Sequence, residues 1–128
     1  MPEKKSVYSC SKCGNIVESL WNGANDIKCC DAIMDKLVEN SVDAAVEKHV
    51  PVIVREGSKV IVKVGDIAHP MESDHYILFV ELICGSQVLR HDFVEGDSVA
   101  EATFCVADTT ADLQARAFCN LHGFWISK

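Results

Sequence analysis

The chain has 128 residues, with 12 Lys and Arg against 19 Asp and Glu, a formal net charge of −7. That length suggests one domain, or an ordinary domain plus a very small one. A hydrophobic fraction of 48% excludes intrinsic disorder, and the acidic balance argues against a nucleic-acid partner, which calls for a basic footprint. No stretch is long and apolar enough for a membrane helix: the longest, Tyr76 to Cys84, is interrupted by Glu81. MPEKKSVYSC carries charges with no apolar run behind them, so no signal peptide is expected. Seven cysteines, an odd number, fit a disulfide framework poorly, and in a reducing cytoplasm they point to metal or redox chemistry.

Charge and ligand types divide along the chain. In residues 1–37 five lysines balance five acids, so the whole net charge belongs to residues 38–128. Four cysteines lie in the first part and all five histidines in the second. Two modules are therefore expected, 1–37 and 38–128.

The first module has few apolar side chains, among them Val7, Tyr8, Ile16, Val17, Leu20, Trp21, Ile27 and Ile33. Below about 40 residues such a core rarely suffices without a cross-link. Cys10, Cys13, Cys29 and Cys30 are the candidates. Cys10-x-x-Cys13-Gly14 is a metal knuckle, with a glycine where positive φ is tolerated. Adjacent Cys29 and Cys30 cannot readily bridge to each other. As ligands of one metal they must splay apart, which distorts a tetrahedron. Four thiolates suit zinc or mononuclear iron.

The second module opens with an ambiguous stretch, Ser41–Lys48, that can form a helical turn capped by Ser41. From there it reads as β. Ser58–Val64 alternates, with Val60, Val62 and Val64 on one face and Lys59 and Lys63 on the other. Tyr76–Ile83 is almost continuously apolar, as in a strand buried on both sides. Thr103–Ala107 and Gly123–Ser127 are further short strands. Leu113–Cys119 places Leu113, Ala115, Ala117 and Cys119 on one face as a strand, although its alanines favour helix. Turn signals at Glu56-Gly57, Gly65-Asp66, Gly85-Ser86 and Gly96-Asp97 recur at the spacing of an antiparallel sandwich.

His49, His69, His75, Cys119 and His122 form the other candidate ligand set, at strand ends or in loops. Each is weak alone, since a single histidine is usually a solvated or hydrogen-bonded side chain. His91, between Arg90 and Asp92, keeps that ordinary reading. Imidazoles with one thiolate suit iron, copper or zinc.

Two sets of residues carry a resemblance. Tyr8-x-Cys10-x-x-Cys13-Gly14-Asn15 with Cys29-Cys30, and Glu47-Lys48-His49-Val50-Pro51 with His69-Pro70-Met71, His75 and Cys119-Asn120-Leu121-His122-Gly123, resemble the two-domain desulfoferrodoxins, which are superoxide reductases. The match covers nearly the whole chain, in order. It implies a mainly β protein: a small metal-stapled N-terminal domain, desulforedoxin-like, followed by an immunoglobulin-like antiparallel β-sandwich. It implies two mononuclear non-haem irons, one on Cys10, Cys13, Cys29 and Cys30. The other would have His49, His69, His75 and His122 as equatorial ligands and Cys119 as the axial one. That arrangement leaves the position opposite the thiolate for superoxide, which is reduced by one electron to hydrogen peroxide. Lys48 would attract superoxide and assist protonation, and Glu47 would occupy the iron after turnover. A rubredoxin-like donor, a homodimer and a cytoplasmic setting complete the expectation. Cys84 and Cys105 fall outside both ligand sets and are expected as small core hydrophobes. The rival readings are a non-catalytic electron carrier or zinc-stabilised scaffold, and a superoxide dismutase.

Overall fold

A computed structural model describes residues 2–41, 49–65, 69–107 and 110–127. The described residues form twelve strands and no helix, in two compact units, Met1–Val38 and Glu39–Lys128.

The first unit contains β1 (Val7–Ser9), β2 (Ile16–Glu18), β3 (Lys28–Cys29), β4 (Ala32–Ile33) and β5 (Asp35–Lys36). β1 is the centre of a three-stranded antiparallel sheet, flanked by β2 and β5. Tyr8, Cys10 and Met34 form its buried cluster, with Ile27 and Cys29 packed against them. So few apolar side chains stabilise little by themselves, and two members of the set are cysteines. β3 and β4 make a separate hairpin, pairing Cys29 with Ala32 across a two-residue loop. Both loop residues, Cys30 (φ 53°) and Asp31 (φ 58°), are left-handed. Positive φ at both central positions is the mark of a type I′ turn, usually taken by Asn-Gly. Here Cys30 accepts the strained conformation, and its side chain leaves the strand direction that Cys29 follows.

The second unit contains β6 (Pro51–Glu56), β7 (Lys59–Val64), β8 (Ile77–Cys84), β9 (Gln87–Asp92), β10 (Glu101–Cys105), β11 (Leu113–Cys119) and β12 (Gly123–Ile126). They build a three-stranded sheet, β10-β7-β6, and a four-stranded sheet, β12-β11-β8-β9, all antiparallel. The inner faces share one core. Val60, Val62 and Val64 come from β7, Val80, Leu82 and Cys84 from β8, Ala102 and Phe104 from β10, and Ala115, Ala117 and Cys119 from β11. Period-two alternation explains each of these placements. It also settles Leu113–Cys119, where side-chain burial on the inner face overrides the helical preference of alanine.

Two expectations shift. Tyr76 lies outside β8, which begins at Ile77, because its amide is taken by a side chain rather than by the ladder. Cys84 is in the core as expected, but Cys105 is exposed: Ala102 and Phe104 take the inner positions of β10, so alternation turns Cys105 outward. The helical turn read in Ser41–Lys48 falls outside the described residues beyond Ser41.

On the outer face of the four-stranded sheet a charged pair is fully enclosed. Arg116 Nη2 donates to Glu81 Oε1 at 2.7 Å across directly paired positions of β11 and β8. Nη1 reaches Glu39 at 3.3 Å, and the guanidinium lies 5.1 Å from the Phe124 ring centroid.

Candidate metal centres

In the first unit the knuckle is held by its backbone. Gly14 N–H donates to the Cys10 carbonyl and Cys10 N–H to the Asn15 carbonyl, both at 2.9 Å. Gly14 has φ 80°, the conformation expected of it. The knuckle faces the β3–β4 hairpin, with Cys13 Sγ 3.5 Å from Cys29 Sγ and Cys29 Sγ 4.0 Å from Cys30 Sγ. All four sulfurs lie within 4.8 Å of one another. Asn15 Nδ2 donates to Cys29 Sγ at 3.6 Å, and Lys12 Nζ to the Cys30 carbonyl at 3.4 Å.

The four thiols are electrostatically unequal. Hydrogen bonds from the backbone of Cys13 and Lys12 lower Cys10 to about 7. Cys30 is pushed up to about 12, first by Cys13 and then by Cys29 and Cys10, and Cys29 is raised chiefly by Cys13. Crowded sulfurs cannot all ionise without a cation, so the donor set itself calls for a metal. Cys10 is buried and Cys13 and Cys30 are exposed, giving the group one face to solvent.

In the second unit, strand register brings four segments to one end of the sandwich. Pro51 at the start of β6 pairs with Val64 at the end of β7, and Cys119 at the end of β11 pairs with Ile77 at the start of β8. His49 precedes β6, His69 and His75 lie between β7 and β8, and His122 lies between β11 and β12. The four imidazoles close into a ring. Centroid distances are 4.8 Å for His49–His69, 4.7 Å for His69–His75, 5.1 Å for His75–His122 and 4.8 Å for His122–His49. Each ring is steeply inclined to the next, by 62° to 79°. Cys119 Sγ is 3.5 Å from His69 Nε2 and 3.7 Å from His122 Nδ1. Ligating atoms of His49, His75, Cys119 and His122 all lie within 4.8 Å of one another.

The tautomer of His69 follows from its contacts. Its Nδ1 is 2.7 Å from the Pro70 carbonyl oxygen, which can only accept, so Nδ1 carries the proton. The Nε2 lone pair is thereby presented to the group, the arrangement typical of a metal-binding histidine. His49, His69 and Cys119 are buried, His75 is half-buried and His122 is exposed, so the group meets solvent at His122.

Glu47 and Lys48 lie outside the described residues. His91 stays apart from the group, on exposed β9, with its ring edge against Phe93. Two supporting residues were not singled out from sequence. Trp125 stacks on His49, with centroids 4.8 Å apart and an interplanar angle of 17°, and donates Nε1–H to the His122 carbonyl at 3.1 Å. Asn120, between the ligand candidates Cys119 and His122, is hydrogen-bonded to the His75 loop. Their signal in the sequence was only adjacency to the histidine and cysteine motifs.

Comparison with known proteins agrees with this geometry. The family model Desulfoferrodoxin matches residues 41–128, and the model Desulfoferrodoxin, N-terminal domain matches residues 2–37. A desulfoferrodoxin of Syntrophotalea carbinolica is 49% identical, over 100% of this chain and 99% of its own. One of Nitratidesulfovibrio vulgaris is 43% identical, over 98% and 97%. Among solved structures, the superoxide reductase of Treponema pallidum is similar at a TM-score of 0.79 and 30% identity, covering 96% of this chain and 97% of that one. A superoxide reductase from Giardia intestinalis matches 63% of this chain and 95% of its own, at a TM-score of 0.56 and 33% identity.

Proposed function

Because the chain belongs to the desulfoferrodoxin family, we propose that it is a superoxide reductase, carrying out one-electron reduction of superoxide to hydrogen peroxide. The observation that carries this reading is the closed ring of four imidazoles with a buried thiol against it.

Both donor sets fit iron. His49, His69, His75, His122 and Cys119 hold one mononuclear non-haem centre, and Cys10, Cys13, Cys29 and Cys30 hold the other. Iron at the histidine group supplies the one-electron couple for superoxide when bound.

The chain's own residues do the rest. His69, with its proton fixed on Nδ1, and Trp125, stacked on His49, keep two imidazoles oriented. Burial shields Cys119 Sγ from the oxidising product. The exposed His122 edge is where substrate and protons arrive. Lys48 attracts superoxide and helps protonate the product, and Glu47 caps the centre between turnovers. The chain carries −7 overall, so this attraction acts locally against an acidic background.

The division of labour runs along the chain: residues 1–37 form the four-cysteine electron-transfer module, and 38–128 form the catalytic one. An outside donor, rubredoxin-like in character, supplies one electron per superoxide. The functional unit is a homodimer that removes reactive oxygen in the cytoplasm. No helix among the described residues is long and apolar enough to cross a membrane.

Iron analysis with a visible spectrum tests the reading. Two irons per chain are expected, with a thiolate-to-iron band that Cys119→Ser abolishes while the four-cysteine spectrum stays. A single iron, or a spectrum unchanged by Cys119→Ser, would point to a scaffold or simple electron carrier.

A further inference from the structure

We infer that Asn120 is a positioning residue of the catalytic centre, gripping the two peptide groups that flank His75. This rests on the assignment of His75 and Cys119 as ligands.

The β8–β11 ladder is irregular where it approaches the centre. Phe118 pairs with Phe79, yet Cys119 pairs with Ile77, so the register slips by one residue at Leu78. The slip keeps Ile77 and Cys119 both on the inner face. The regular β8–β11 pairing ends at Ile77 and Cys119. Asn120 takes over there. Its N–H donates to the Tyr76 carbonyl at 3.1 Å, and its Oδ1 accepts from Tyr76 N–H at 2.8 Å. The side chain thus completes a two-bond pair that a strand residue would make with its own carbonyl. The same amide then donates Nδ2–H to the Asp74 carbonyl at 2.9 Å.

Asp74 C=O belongs to the peptide entering His75, and Tyr76 N–H to the peptide leaving it. One planar amide therefore fixes the backbone on both sides of that histidine. The loop closes the remaining freedom itself. Glu72 N–H donates to the His75 carbonyl at 2.9 Å and His75 N–H to the Glu72 carbonyl at 3.3 Å. Asn120 is covalently next to Cys119, so the grip sets His75 at a fixed distance from the thiol. A carboxylamide suits this duty because it offers an acceptor and a donor together. Asp lacks the donor, and Ala lacks both.

The test uses the full chain loaded with iron at both centres, as wild type, Asn120→Ala and Asn120→Asp. Two quantities are read: hydrogen exchange of the peptide containing Tyr76, and release of iron from the histidine centre to a chelator, followed by its thiolate band. In Asn120→Ala the Tyr76 peptide should lose protection, while peptides of β11 and β7 keep theirs. Iron retention at the histidine centre should fall roughly ten- to a hundredfold, the usual effect of removing support behind a ligand. The four-cysteine centre should be unchanged. Asn120→Asp should keep Tyr76 protected, through the remaining acceptor, and still lose iron faster than wild type.

Retention in Asn120→Ala within twofold of wild type would overturn the proposal. So would equal loss of protection across all strands, which marks a general structural role, or full retention in Asn120→Asp, which makes the Asp74 bond irrelevant. A wild-type chain that holds no iron at the histidines would instead overturn the functional reading beneath it.

Discussion

The Trp125 indole lies flat against His49, 4.8 Å between centroids and 17° from parallel, while its Nε1–H is bonded to the His122 carbonyl at 3.1 Å. One side chain on β12 therefore braces two candidate ligands from segments some seventy residues apart in sequence.

Trp125→Phe should keep the stacking and lose only the hydrogen bond, so it should retain iron and loosen the His122 turn. Trp125→Ala removes both, and as a large-to-small change at a buried position it should cost roughly 3–5 kcal/mol of stability. Denaturant unfolding together with iron content after dialysis checks both variants. Equal iron loss in the two would show that stacking contributes nothing.

The enclosed Arg116–Glu81 pair predicts an asymmetry. Glu81→Ala removes the 2.7 Å carboxylate partner of a buried guanidinium and should destabilise the sandwich by about 3–5 kcal/mol. Replacing the pair together, Glu81→Leu with Arg116→Met, should recover most of that loss, because desolvation of both charges is removed. Unfolding midpoints of the single and double variants decide it. A double variant no more stable than the single would mean the pair itself carries the stability.

The inner positions of β7 and β11 were readable because valine or alanine recurs at every second residue, with Lys59, Lys63, Gln114 and Arg116 among the residues between, and alternation is a local property. Arg116 was not readable as buried, since by that rule it sits on the outer face, and its partner Glu81 is 35 residues away. The histidines were nameable as candidates, but spacing could not show that His49, His69, His75 and His122 close into a ring. Closure depends on register between β6 and β7 and between β8 and β11. Motif resemblance supplied that convergence from outside local physics. The exposure of Cys105 shows the reverse error, an apolar residue type taken as core against its own strand's alternation.

Metal loading of the four-cysteine group should release protons. Cys29 is raised and Cys30 stands at about 12, so both are protonated near neutrality and must give up protons to bind a cation. Affinity should therefore rise with pH, and rise more steeply below about 7, where Cys10 is protonated as well. Titration calorimetry in buffers of different ionisation enthalpy measures the release. Heats independent of buffer would contradict it.

The role proposed for Lys48, a local positive charge in a chain of net charge −7, predicts that Lys48→Ala slows the reaction with superoxide and flattens its dependence on ionic strength. Pulse radiolysis across a salt series measures this. A variant with the wild-type salt slope would remove Lys48 from substrate attraction.

The most direct test of the account is the product balance when superoxide is supplied to the reduced, iron-loaded protein with an electron donor present. A reductase yields one hydrogen peroxide for each superoxide consumed and releases no oxygen. Oxygen evolution at half the superoxide consumed, with peroxide making up the other half, would identify a dismutase and contradict the account.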